Sequence, residues 1–248
     1  MIYTTFKELC NTINNELNVN EVHQISHANG NHIGIVLKNK HFPISINEAE
    51  YNFMHKFIID NNLKTGFELS TGTGISTIGI GTAMAITNGH LITMDSYYED
   101  ITGISQNIPV CKYNEENINN IKENSECYKF ISKIIKKMNL ENIVQIEIGW
   151  SPLDSVIKIK ERNQPLDFIF LDCPKNSTEF IRDFIPLTHF LNDKYVIFVH
   201  DTHTFDSTAY NVVLDTLGIP LKLINEYFIN SSYHQTRYYP LGIITNII

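Results

Sequence analysis

The residues best placed to do chemistry are grouped around Glu68-Leu69-Ser70-Thr71-Gly72-Thr73-Gly74. An acidic residue closes a short apolar segment, and Ser70, Gly72 and Gly74 follow at alternate positions before an apolar run. Such a turn lets a ligand approach the backbone closely and meet the first amides of a helix. A dinucleotide fingerprint requires one more small residue where Thr77 stands, so a nicotinamide cofactor is disfavoured. Glu68 instead suits a cationic ligand, such as a sulfonium with an α-amino group. Asp95 closes a second apolar segment, where a carboxylate can accept hydrogen bonds from both hydroxyls of a ribose. Further acidic residues close two later segments, at Asp172 and at His200-Asp201.

Composition narrows the class. The chain has 248 residues, 43% hydrophobic and 19% charged, which is ordinary for a globular protein of one domain. A net charge of -8, with few basic clusters, speaks against a nucleic-acid partner. The run from Lys133 to Lys137 is interleaved with Ile134 and Ile135, the pattern of a solvated helix face over a buried one. The longest apolar runs, such as 195–199, are strand-sized, so no membrane span is expected. Met1-Ile2-Tyr3-Thr4 lacks the build of a signal peptide, and the scattered Cys10, Cys111, Cys127 and Cys173 read as reduced thiols. A cytoplasmic location is the expectation.

Elements must hold these residues together. The first 46 residues read as an extension that contributes to a substrate pocket. It carries a weak helix over 6–17 and a strand–turn–strand over 32–43. Ser45 with Glu48 predicts a capped helix start, and the helix over 47–61 carries Phe53, Phe57 and Ile58 on one face. From 47 to 248 strand and helix alternate. Strands are expected at 66–70, 91–94, 143–148, 168–171 and 195–199, with helices at 75–86, 126–138 and 178–191. Segments 222–227 and 238–245 read as a terminal antiparallel pair. Repeated βα units of this kind predict a Rossmann-like, doubly wound α/β fold with a mostly parallel sheet and helices on both faces. Ligands of such sheets sit at the carboxyl ends of the strands, where the acidic residues named above fall. The polar stretch 96–124 interrupts the alternation and reads as a lid-like insertion over the ligand pocket.

Five segments taken in order resemble the class I S-adenosylmethionine-dependent methyltransferases. Within that class they look most like the cation-dependent O-methyltransferases of the catechol and caffeoyl-coenzyme A type. Glu68 to Ser76 resembles motif I of the class. Ile92-Thr93-Met94-Asp95 resembles the strand that holds the ribose. Ile148-Gly149-Trp150-Ser151 resembles the stretch that lines the adenine. Phe170-Leu171-Asp172-Cys173-Pro174-Lys175 and His200-Asp201-Thr202 resemble the segments carrying the metal ligands. Ser70 stands where the family has glycine, and Thr202 where it has asparagine.

The resemblance implies S-adenosylmethionine as cofactor, held by Glu68, Ser70, Thr71, Gly72, Gly74, Ser76, Asp95, Ser96, Gly149, Trp150, Ser151 and Asp172. It also implies Mg²⁺ or a similar cation on Asp172, Asp201 and Thr202. The substrate would be a small hydroxylated molecule, and a homodimer would be in keeping with the family. A cation on Asp172 and Asp201 could lower the pKa of the acceptor oxygen, and Lys175 could then take its proton. His200 and His203 are rival bases for a metal-independent reaction. Asp172 and Asp201 could instead cap helices, and Lys175 could be a surface residue. The departures at Ser70 and Thr202 support a third reading, a cofactor-binding protein without turnover. His23, His27, His32 and His41 precede these segments and read as surface or pocket-wall residues rather than ligands.

Overall fold

The computed structural model describes residues 6–17, 22–27, 30–37, 40–43, 46–102, 113–150, 152–172, 176–200, 207–218 and 241–247. Its elements in chain order are α1 (Phe6–Leu17), β1 (Val22–His27), β2 (Gly30–Leu37), β3 (Lys40–Pro43), α2 (Glu48–Asp60), β4 (Thr65–Leu69), α3 (Ile75–Thr87), β5 (His90–Asp95) and α4 (Tyr98–Thr102). They continue with α5 (Glu115–Asn124), α6 (Glu126–Lys137), β6 (Val144–Ile148), α7 (Leu153–Arg162), β7 (Leu166–Leu171), α8 (Ser177–Thr188), β8 (Leu191–Val199), α9 (Ser207–Leu217) and β9 (Gly242–Thr245).

Six strands form one sheet in the order β6-β5-β4-β7-β8-β9. All neighbours are parallel except β9, which runs antiparallel to β8. This is the expected Rossmann-like, doubly wound fold. The chain leaves β4 toward β5 and β6 on one side, then returns to lay β7 and β8 on the other. The direction of winding therefore reverses between β4 and β7, the place where such sheets open a ligand crevice.

Period-two alternation sorts the strand residues between two cores. Phe67, Leu69, Ile169, Leu171, Ile197 and Val199 pack on the face covered by α7, α8 and α9. Phe168, Phe170, Val196 and Phe198 pack on the opposite face with α2, α3 and α6. Phe53 and Phe57 of α2 both meet the Phe198 ring edge-on, which seats α2 over β8. Phe6, Leu9 and Ile13 of α1, with Ile35 and Leu37 of β2, join that same core.

Several local expectations shift. Asn47, not Ser45, caps α2: its Oδ1 accepts the Glu50 N–H at 2.8 Å, and the Glu50 carboxylate accepts the Asn47 N–H at 2.8 Å. Ser45 lies outside the described residues. Part of the lid-like insertion is helical, because Asn114 caps α5 and Glu115 and Glu116 complement its first turn. Asp100 of α4 accepts hydrogen bonds from the Ser125 hydroxyl and the Cys127 N–H, tying the insertion to the start of α6. Strand β1 and helices α7 and α9 were not anticipated. Of the terminal pair, β9 is described and 222–227 lies outside the described residues. In α6, Ile131, Ile134 and Ile135 are buried while Lys133, Lys136 and Lys137 are exposed, as the interleaving predicts.

Candidate functional site

Backbone hydrogen bonds carry the ladder one residue beyond the strand ends. Ser70 N–H donates to Met94, Gly149 to Asp95, Asp172 to Leu69 and His200 to Leu171. This brings Ser70, Asp95, Asp172 and His200 to one edge of the sheet, at the reversal point.

The glycine turn is wound through left-handed conformations, with φ of 83° at Ser70, 52° at Gly72 and 79° at Gly74. Gly74 is the N-cap residue of α3. A Cβ on Gly74 would fall 2.0 Å from Cδ1 of Ile131, whereas one on Gly72 would meet nothing within 4 Å. The two glycines therefore serve different needs, one a close packing contact and the other an open backbone. Gly74→Ala is expected to lose about 2–4 kcal/mol of stability, combining left-handed strain with a clash. Gly72→Ala should lose only about 1 kcal/mol. Urea melts of the two variants check the difference.

Asp95 clasps this turn. Its Oδ2 accepts the Gly72 N–H at 2.8 Å and its Oδ1 accepts the Tyr97 N–H at 2.8 Å. A carboxylate oxygen can accept more than one hydrogen bond. The clasp helps hold Tyr97 at φ 51°, with its buried ring against Tyr128. Ser96, the next residue in the chain after Asp95, is buried.

Glu68 is fully buried beneath the turn. It is paired in register with Thr93 of β5 and shares its face with the first turn of α3. Its carboxylate accepts hydrogen bonds from Ser76, Thr77 and Thr93 at 2.6–2.7 Å, and Thr71 of the turn lies 2.6 Å from the Thr93 hydroxyl. Burial pushes its pKa up to about 7 against the pull of these hydroxyls, with Asp172 adding to the rise. Thr77 and Thr93 become partners of Glu68 through strand register and the docking of α3, which no local sequence pattern contains.

The second group lies across the reversal point. His200 is buried, with Nδ1 3.1 Å from Asp172 Oδ1 and Nε2 3.8 Å from Glu50 Oε2. Glu50 is thus both the capping residue of α2 and a neighbour of the imidazole. Nothing in the sequence pattern joined it to the site.

Trp150 is half-buried against the α7–α9 core, and its backbone N–H donates to Asp154 Oδ2 at 3.0 Å. Ser151, Lys175, Asp201, Thr202 and His203 lie outside the described residues. Among the described residues, no three His, Cys, Asp or Glu side chains are arranged to hold a metal ion. Nor is any described helix long and apolar enough to cross a membrane.

No protein-family model matches the chain, and no curated protein matches it. Solved structures do. An O-methyltransferase from Bacillus cereus in complex with S-adenosylhomocysteine (SAH) is 16% identical with a TM-score of 0.48, over 81% of this chain and 67% of that one. The SAH-bound methyltransferase PaMTH1 from Podospora anserina is 15% identical with a TM-score of 0.42, over 62% and 53%. The O-methyltransferase TomG from Streptomyces achromogenes, in complex with S-adenosylmethionine, is 12% identical with a TM-score of 0.46, over 79% and 65%. The matched region thus spans between about half and two thirds of these proteins. These three proteins are described as methyltransferases with S-adenosylmethionine or SAH bound, and what the chain itself does rests on its own residues.

Proposed function

We propose that the chain is an S-adenosylmethionine-dependent methyltransferase acting on a hydroxyl of a small molecule. The observation that carries this reading is the meeting, at the reversal point, of an open left-handed turn, the Asp95 carboxylate and the Asp172–His200 pair. The bare face of Gly72 fits a ligand that lies against the backbone. A carboxylate at the end of β5, beside the turn, fits a ribose diol. When bound, the cofactor supplies a methyl group already activated by its sulfonium, so the protein mainly orients the reactants.

Ser70, Thr71, Gly72 and Gly74 would line the cofactor from below, and Ser76 would act through the α3 terminus. Ser96, Gly149, Trp150 and Ser151 would flank the nucleoside. Glu68 turns its carboxylate to three hydroxyls, so in this reading it holds the turn that meets the ligand. Asp172, with Oδ1 3.1 Å from His200 Nδ1, would orient the imidazole that takes the proton of the acceptor hydroxyl. Glu50 would stabilise the imidazolium that results.

The cation-assisted form of the reaction would use Asp172, Asp201 and Thr202 as ligands for Mg²⁺ or a similar ion, with Lys175 as base. The described residues do not fit that ion by themselves, because they supply one of the three ligands and its Oδ1 faces an imidazole. The proton path through His200 needs no cation. Methyl transfer to a hydroxylated acceptor is therefore expected to persist in excess EDTA. Loss of turnover in EDTA, restored by Mg²⁺, would replace the histidine path by the cation-assisted one. Calorimetry with SAH tests the cofactor itself: binding that weakens in Gly72→Ala supports the site, and no binding to the parent protein rejects it.

A further inference from the structure

Tyr97 carries a backbone conformation that its side chain does not favour. At φ 51° it lies in the left-handed region, which a bulky residue seldom enters and keeps only where its neighbours hold it. Its N–H donates to Asp95 Oδ1 at 2.8 Å, and its buried ring meets Tyr128 of α6 edge-on, with centroids 5.6 Å apart. Strain of this kind gathers at functional sites. Here it falls between the Asp95 carboxylate and the start of α4.

The ring contact fixes Tyr97 only while α4 and α6 keep their places, and one carboxylate joins them. Asp100 Oδ2 accepts the Ser125 hydroxyl at 2.7 Å and the Cys127 N–H at 3.0 Å. The Ser125 oxygen in turn accepts the Tyr128 N–H at 3.0 Å, so the residue that meets the Tyr97 ring is fastened to the same pair. Ser125 and Asp100 are both buried, where a hydrogen bond to a charged acceptor is of the stronger kind. These contacts close a loop from Asp95 through Tyr97, Tyr128 and Ser125 to Asp100, and back along α4 to Tyr97. The loop meets the turn at both glycines. Asp95 Oδ2 accepts the Gly72 N–H, and Ile131 of α6 packs where Gly74 has no Cβ.

We propose that Asp100 is a positioning residue of the nucleoside site: by joining α4 to α6 it fixes Tyr97, and through Tyr97 the Asp95 carboxylate that would receive a ribose diol. The inference rests on the cofactor reading above and deepens it. Asp100 acts through Asp95 rather than on the ligand, because its Oδ2 is committed to the first turn of α6.

Calorimetry of the full chain with two ligands, SAH and its 2′-deoxyribose analogue, tests this. In the parent, loss of a hydroxyl that Asp95 binds should weaken binding at least about tenfold, the scale of a hydrogen bond to a charged group. Asp100→Ala is expected to lose about tenfold in SAH affinity and most of the discrimination between the two ligands, as groups that act through one another are not additive. Asp100→Asn is expected to resemble the parent, since one amide oxygen can accept both hydrogen bonds. Ser125→Ala breaks the same joint from the other side and should change in the direction of Asp100→Ala. Circular dichroism checks that each variant folds, and Ser125→Ala carries the test if Asp100→Ala does not. A folded Asp100→Ala, or Ser125→Ala in its place, that keeps the full preference for SAH overturns the proposal, whatever stability it has lost. A parent that binds neither ligand rejects the cofactor reading itself, and one that binds both equally removes Asp95 from the ribose; each ends the proposal.

Discussion

His200→Ala is expected to lower turnover by about 10²- to 10⁴-fold, the range that a positioned acid–base group contributes. Affinity for SAH should stay close to that of the parent, because His200 is set apart from the glycine turn by β7 and faces Asp172 and Glu50. Asp172→Asn should produce a smaller drop, since the amide keeps the shape of the side chain beside Nδ1 but no longer offsets the charge that forms on the ring. Glu50→Gln should act in the same direction and more weakly, as its carboxylate stands 3.8 Å from Nε2. Product formation and calorimetry together check this. Turnover in His200→Ala equal to the parent, with cofactor binding intact, would remove the histidine from the proton path and return attention to Lys175.

The second large effect concerns Glu68 and pH. The unfolded side chain titrates near 4.5, and burial raises the folded value to about 7. Between these values the folded chain holds a proton that the unfolded chain has released. Unfolding then gives up a proton, so stability must fall as pH rises through this window. The contribution is intact below pH 4.5, declines from there to about pH 7 and is fully lost above it. A shift of this size corresponds to roughly 3 kcal/mol for a fully buried group. Glu68→Gln cannot titrate, and the Ser76, Thr77 and Thr93 hydroxyls can turn to satisfy its amide. The variant should therefore show a flatter stability profile than the parent across that window. Denaturant melts of both proteins at several pH values give the difference directly, and parallel profiles would show that Glu68 titrates normally. Glu68→Ala should be the more damaging change, because it strands three buried hydroxyls and leaves a cavity.

The two predictions draw on different layers of information. Glu68, Asp95, Asp172 and His200 were each visible in the sequence as polar residues ending apolar segments. Alternation of period two within a strand, and the glycine turn before a helix, are local patterns that survive without tertiary contacts. They were enough for a doubly wound sheet with its polar residues at the carboxyl edge. The start of α2 shows the limit of local reading. Ser45 with Glu48 and Asn47 with Glu50 are both sound capping pairs, and the second is the one formed. There Glu50 also meets His200, a contact that no local pattern contains.

What the sequence alone determined, then, was the fold class and the identity of the polar residues at the carboxyl edge of its sheet, because both follow from short-range periodicity. Tertiary structure decided the partners. Glu68 reads locally as a counter-charge for a cationic ligand. Parallel pairing with β5 and the packing of α3 turn it toward Thr93, Thr77 and Ser76, where burial raises its pKa. Asp172 reads as a candidate metal ligand, and the register of β7 against β8 sets it beside the imidazole of His200. Strand register and helix docking join residues far apart in the chain, and such pairings leave no trace in the spacing of residues along it.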